Sequence, residues 1–233
     1  MAKFNANRLL YMKALAAICP SMRFNKIESK IVCAQRGEST GFIFSFPKTD
    51  FDFSGNTASF QDYKEFISIL SMLSPDSNMS QSAEDARYLT FTDSTQNIKV
   101  NYTLTGDKVD LSCGPTNFNF GAPDATIEMT AAEFSKIKKF ISAVSAEKIK
   151  ITVKEKVCTL KCFQDSKGDS VVLKYPVTGT AKDIDYVTTA DLFILPPEND
   201  ISLNLAVDGR IQLAYKNLEK DVSLSIFTGI LEE

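Results

Sequence analysis

Charge along this chain runs positive, negative, positive, negative, and the pattern repeats after about half its length. Residues 1–36 sum to +6, 37–133 to −9, 134–182 to +7 and 183–233 to −7, leaving the net charge of −3. A profile carried twice points to two copies of one domain. Two units of roughly 100–120 residues suit a chain of 233 residues and are long enough to bury cores.

The same repeat is written in the secondary-structure signals. Asn5 to Cys19 reads as a helix halted by Pro20, and Thr130-Ala131-Ala132-Glu133 is a capping box that opens a second helix through about Ser145. Strand-like runs follow each, Arg23–Glu28 with Lys30–Gln35 and Lys148–Val153 with Lys156–Phe163. Ser59-Phe60-Gln61-Asp62 is a further capping box leading a helix to Leu73, and Asp191–Leu195 is a shorter helix stopped by Pro196 and Pro197. More strands follow both, at 89–91, 98–104 and 108–112, then 201–207, 210–215 and 222–227. The expected domains are therefore 1–113 and 124–233. The Gly-, Pro- and Asn-rich stretch 114–123 is the linker between them.

Catalysis finds little support. The chain has no histidine, which excludes Ser-His-Asp and Cys-His mechanisms. Gly37-Glu38-Ser39-Thr40-Gly41 matches a nucleophile-elbow pattern, but a strand-like run, Phe42–Phe46, follows where a helix is required, so the stretch reads as a turn. The cysteines show no C-x-x-C spacing, and Cys158 and Cys162 fall on one face of a strand, as buried thiols do. Acid pairs such as Asp50/Asp52 and Asp183/Asp185 read as solvated turns, so no metal is expected. No glycine-rich phosphate cradle is present, and no cofactor is expected. No apolar run reaches membrane-spanning length and Met1–Asn5 lacks a signal sequence, so a reducing cytoplasm is the expected compartment.

The helices point to a different kind of work. On a 100° wheel Phe134, Ile137, Phe140, Ile141 and Val144 form an apolar face, with Lys139 and Ser142 opposite and Lys136 on the flank. From Gln61 onward, Tyr63, Phe66, Ile67, Ile69, Leu70 and Leu73 oppose Lys64, Ser68 and Ser71. Arg8 and Lys13 are the only charges of the first helix. Such faces are either ordinary solvated surface or one basic surface for a phosphate backbone. No helix face carries the Arg, Asn and Gln needed to read bases, and the aromatics fall mostly at core positions. Nucleic-acid contact would then be sequence-neutral, by lysines and hydroxyls on duplex phosphates.

At Phe66-Ile67-Ser68-Ile69-Leu70-Ser71 followed by Ser80-Gln81-Ser82, at Lys150-Ile151-Thr152-Val153-Lys154-Glu155, and at Met12-Lys13-Ala14-Leu15, the chain resembles the ring-shaped DNA polymerase sliding clamps, most of all those of T-even bacteriophages. The resemblance extends thinly over the whole chain. It implies an α+β fold of duplicated clamp domains, each with two helices packed on antiparallel sheets, and three protomers closed head to tail into a ring. It implies a non-catalytic processivity factor that encircles duplex DNA, tethers the DNA polymerase and is opened by an ATP-dependent clamp loader, in the cytoplasm of a bacterial host. The resemblance assigns the DNA-facing role to Arg8, Lys13, Lys64, Lys136 and Lys139, with Ser68 and Ser142 as neutral partners.

Clamps of this kind receive a short apolar peptide near the linker and the C-terminus. Here Phe118, Phe120, Ile230 and Leu231 occupy those places, where the phenylalanines either wall a cleft or pin the linker to the core. The resemblance also places the subunit interface at two strand edges, Lys108, Val109, Asp110 and Leu111 on one side and Val171, Val172, Leu173 and Lys174 on the other. The competing expectation is a non-catalytic phage structural or scaffold protein built from a duplicated domain, with merely solvated lysines. A hydrolase using Ser39 with an unconventional base is a third.

Overall fold

The computed structural model describes residues 2–3, 6–36, 40–51, 53–74, 77–81, 87–106, 119–179, 182–216, 218–219 and 221–231. The chain falls into two compact units. One comprises Met1–Gly37, Ile43–Thr116 and Lys220–Ser223, the other Glu38–Phe42, Asn117–Glu219 and Leu224–Glu233.

In sequence order the first half of the chain runs β1 (Ala2–Lys3), α1 (Ala6–Leu15), β2 (Met22–Ile27), β3 (Lys30–Arg36), β4 (Thr40–Pro47), β5 (Thr57–Phe60), α2 (Tyr63–Met72), β6 (Asn78–Gln81), β7 (Tyr88–Asp93) and β8 (Ile98–Thr103). The second runs β9 (Ala125–Met129), α3 (Ala131–Ala143), β10 (Lys148–Lys154), β11 (Val157–Phe163), β12 (Ser170–Pro176), β13 (Ile184–Thr189), a 3₁₀ turn (Ala190–Phe193), β14 (Ile201–Leu205), β15 (Ile211–Tyr215) and β16 (Ser223–Thr228). Apart from a short 3₁₀ turn at Lys48–Asp50, the two orders match element for element. Strand neighbours match too. The order β1-β6-β7-β8 corresponds to β9-β14-β15-β16, and β5-β2-β3-β4 corresponds to β13-β10-β11-β12. Duplication is thus present in topology as well as in charge.

Aromatic packing holds α2 to its sheets. The Phe24 ring lies 4.9 Å from Phe60 and 5.3 Å from Phe51, while Phe66 stacks on Phe60 at 4.1 Å and reaches Tyr102 at 5.1 Å. Phe24, Phe60 and Phe66 are fully buried, and each such ring contributes about 1.5–3 kcal/mol by leaving water. In the second unit Phe134 of α3 plays this part, against Phe193 at 5.9 Å and Tyr215 at 6.2 Å.

Several boundaries differ from expectation for identifiable reasons. Thr130 does form the capping box with Glu133, both reciprocal bonds being made. The motif at Ser59–Asp62 is not a box: Ser59 is buried in β5, where its hydroxyl accepts from Arg23 Nε at 3.0 Å. Asp62 is the N-cap instead, accepting from the Glu65 backbone N–H at 2.8 Å. The first helix ends at Leu15 and continues to Ile18 only as turn. In the second unit the expected helix at 191–195 is a single 3₁₀ turn capped by Thr189. That unit therefore has one α-helix and one turn where two helices were expected.

Candidate nucleic-acid interface

The three helices place the expected cations unequally. On α3, Phe134 and Ile137 are buried against the sheet, which turns Lys136, Lys139 and Ser142 to solvent. Lys136 Nζ lies 5.9 Å from the Phe140 ring, a weak cation–π contact that leaves the charge exposed. Lys139 and Ser142 share a shallow open depression with Ser135, Lys138, Ala143 and Pro197. These α3 residues form one cationic, hydroxyl-bearing surface in the second unit.

Lys138, between them, is taken up by the fold. Its Nζ donates to the carbonyl oxygens of Ile194 at 2.8 Å and Leu195 at 2.5 Å, closing the end of the 3₁₀ turn. Partial burial lowers its pKa from the ordinary lysine value. Its partners lie more than fifty residues along the chain, outside what a helical wheel displays.

In the first unit Lys64 and Ser68 are exposed on α2, as expected from the burial of Tyr63, Phe66, Ile67 and Leu70. The Ser68 hydroxyl donates to the Lys64 carbonyl at 2.9 Å, so it must turn before it can donate to a phosphate. Lys13 is exposed on α1, which packs beside α2.

Arg8 is a correction. It is 3% exposed, and its Nε donates to Asp50 at 2.8 Å. A guanidinium held this way is a buried structural cation and presents nothing to a polyanion. Its partner, forty-two residues along the chain, is invisible to a helical wheel.

The expected peptide cleft is also partly rearranged. Phe118 lies outside the described residues. Phe120 is 5% exposed and packed beneath Arg210, whose guanidinium lies 5.4 Å from the ring and donates to the Phe120 carbonyl at 2.7 Å. It pins the chain rather than walling a cleft. Ile230 is about half exposed and sits against Gly209, where an added Cβ would meet its Cγ2 at 3.1 Å. Gly209 has φ +89°, so the position is closed to side chains by backbone and space alike. The Leu231 backbone N–H donates to the Val187 carbonyl at 2.8 Å, which fixes the last described residues on the second unit. Val207, half exposed, is a further apolar residue of this unit.

Of the expected strand edges, Lys108, Val109, Asp110 and Leu111 lie outside the described residues. Val171, Val172, Leu173 and Lys174 belong to β12, the end strand of the order β12-β11-β10-β13, with β11 on one side and no partner on the other among the described residues.

The basic block 134–182 divides between two surfaces. Lys136, Lys138 and Lys139 are on α3. Lys148, Lys150, Lys154, Lys161 and Lys174 stand on β10, β11 and β12, alternating with buried residues, and α3 packs against these strands through Phe134 and Ile137. Strand alternation was the signal that could have found them: Lys148, Lys150 and Lys154 are two and four residues apart on β10, and the register that sets Lys161 opposite Lys150 and Lys174 opposite Thr159 puts all five on one face. Charge summed over a segment does not say which face carries it.

Nothing in the described residues resembles a catalytic or metal centre. No group of three His, Cys, Asp or Glu side chains lies close enough to hold a metal ion among them. Cys19, Cys33, Cys158 and Cys162 are buried free thiols, and burial pushes Cys158 up to about 12 and Cys162 to about 11. No helix among the described residues is long and apolar enough to cross a membrane.

By sequence, no protein-family model and no curated protein matches the chain. By structure it is similar to A. fulgidus PCNA, in a structure with the C-terminal region of FEN-1 bound, at a TM-score of 0.76 and 14% identity, covering 100% of this chain and 98% of that one. It is similar to the Proliferating Cellular Nuclear Antigen of Entamoeba histolytica at the same TM-score, with 17% identity and coverage of 99% and 98%. With its helices on antiparallel sheets in a duplicated order, the chain has the sliding-clamp fold.

Proposed function

We propose that this protein is a DNA polymerase processivity factor, a non-catalytic clamp whose three copies close head to tail around duplex DNA. The observation that carries the reading is the duplicated element order of the sliding-clamp fold together with a lysine- and hydroxyl-bearing outer face on α3. Lys13, Lys64, Lys136 and Lys139, with Ser142, are the proposed DNA-facing groups, and Ser68 joins them once its hydroxyl turns. A lining of this kind holds phosphates weakly and without regard to sequence, which is what a sliding contact requires.

The open edge of β12 at 171–174 supports a subunit contact by strand pairing, with 108–111 of the next copy as its proposed partner. The apolar surface offered by Ile230, Leu231 and Val207 is the proposed seat of a partner peptide from the polymerase or an ATP-dependent loader, and one structural neighbour is itself described with a FEN-1 segment bound. The T-even phage type, and with it the cytoplasm of a bacterial host, rests on the sequence resemblance alone.

Charge reversal tests the reading. Lys136→Glu with Lys139→Glu is expected to impair loading onto, or retention on, circular duplex DNA while the protein stays folded. Unchanged retention would favour a scaffold whose lysines are only solvated.

A further inference from the structure

The face of the β12-β11-β10-β13 sheet turned away from α3 has no role in the proposed clamp, and its composition is unusual. The opposite side of β10 and β11 is fully buried, with Ile149, Ile151, Val153, Cys158, Leu160 and Cys162 all at 0% exposure. The outward residues pair in register: Lys150 with Lys161, Lys161 with Val172, Thr159 with Lys174, and Lys154 with Val157. Lys148 and Lys150 are paired to Asp165 and Asp185. Lys154, Lys161 and Lys174 are exposed and make no ion pair among the described residues.

Lys161 stands directly opposite Lys150 in the ladder, and Asp185 already answers Lys150, so the charges left for a partner to meet are those of Lys154, Lys161 and Lys174. The face also exposes two large apolar residues beside its lysines, Val157 at 41% and Val172 at 52%. A phosphate backbone has nothing apolar to cover them. Nor is there a stacking platform for bases, since the one ring here, Phe163, is half-buried and already lies 5.7 Å from Lys161 Nζ. An extended peptide presents every second side chain to one side at a spacing of roughly 6.8 Å, the spacing of outward residues along β10 itself.

We propose that this sheet face docks a partner protein through an extended segment rich in acidic residues interspersed with apolar ones, the acids meeting Lys154, Lys161 and Lys174 and the apolar groups covering Val157 and Val172. Docking uses side chains on the face, whereas the subunit contact proposed above uses the backbone edge of β12, so the two are compatible.

Fluorescence anisotropy on the full chain tests this, with a labelled peptide of about twelve residues as the probe, in which Glu and Val take turns at every second position and Ser fills the positions between, so that one side of the extended peptide carries both. Saturable binding is expected, weakened about tenfold or more by Lys154→Glu with Lys161→Glu and Lys174→Glu, and also weakened by Val157→Ser with Val172→Ser. If the reversal variant fails to fold, Lys→Gln at the same three positions replaces it and is expected to weaken binding in the same direction. Equal affinity of wild type and folded variants overturns the proposal. So does a reversal that lowers binding of a short duplex DNA and spares the peptide, or one that changes the native mass, which would assign the face to nucleic acid or to a second copy. Retention on circular DNA is measured in parallel and is expected to be unchanged by these variants, so loss of the clamp reading and loss of this one are told apart.

Discussion

Lys138 Nζ donates to the carbonyl oxygen of Ile194 at 2.8 Å, tying the middle of α3 to the turn that replaces a second helix in this unit. A single turn cannot satisfy its own terminal carbonyls, and the ammonium does so from the neighbouring helix. The basic run Lys136–Lys139 therefore divides by function, two lysines facing solvent and one holding the fold.

That division predicts opposite outcomes for adjacent residues. Lys138→Met keeps most of the packed stem but removes the donor, and is expected to lower stability by about 1.5–3 kcal/mol in urea unfolding. Retention of the folded fraction on circular DNA should be unaffected. A stable Lys138→Met protein with lost retention would place Lys138 among the DNA contacts instead.

Arg8 makes a second structural prediction. Arg8→Met leaves Asp50, whose side chain is only 16% exposed, without that ion-pair partner. Breaking a buried pair from one side costs about 3–5 kcal/mol, so the variant should unfold at markedly lower denaturant. Exposed Lys13→Met on the same helix is expected to change stability by less than about 0.5 kcal/mol.

Asp93 gives the fold a dependence on acid. Its carboxylate is 1% exposed and accepts from the Thr95 hydroxyl at 2.5 Å and from the Ser74 backbone N–H at 2.7 Å, linking the β7–β8 turn to the chain after α2. The Thr95 bond first, and then that from Ser74, hold its pKa well below the usual carboxylate value. Because the folded pKa is the lower one, this stabilisation is fully present above the unfolded value, about 4, and fades as pH falls below it. Asp93→Asn should therefore melt below wild type at pH 7, and the gap should shrink under pH 4. A gap independent of pH would show that the carboxylate charge is not what matters.

Much of the architecture was legible because local signals and tertiary packing agreed. Thr130 and Glu133 cap α3 as their spacing implies, and Phe134 and Ile137 bury the face that the 3.6-residue period assigns. The failures share one cause, partners distant in sequence. Ser59 has capping chemistry, yet β5 claims it and Arg23 binds it, so Asp62 three residues later takes the role. Arg8 has capacity for a phosphate, yet Asp50 claims it. The strand lysines were counted as charge without being given a surface, because a segment sum hides the alternation that puts Lys150, Lys154 and Lys161 on the face away from α3.

Topological retention is the property that only an encircling protein has. Protein loaded onto circular duplex DNA is washed at rising salt, and the same complex is washed after the circle is cut once. The clamp account predicts that circles keep the protein at salt concentrations that strip it from the cut molecules, because lysine contacts alone weaken steeply with ionic strength. Equal release from circular and linear DNA would contradict it.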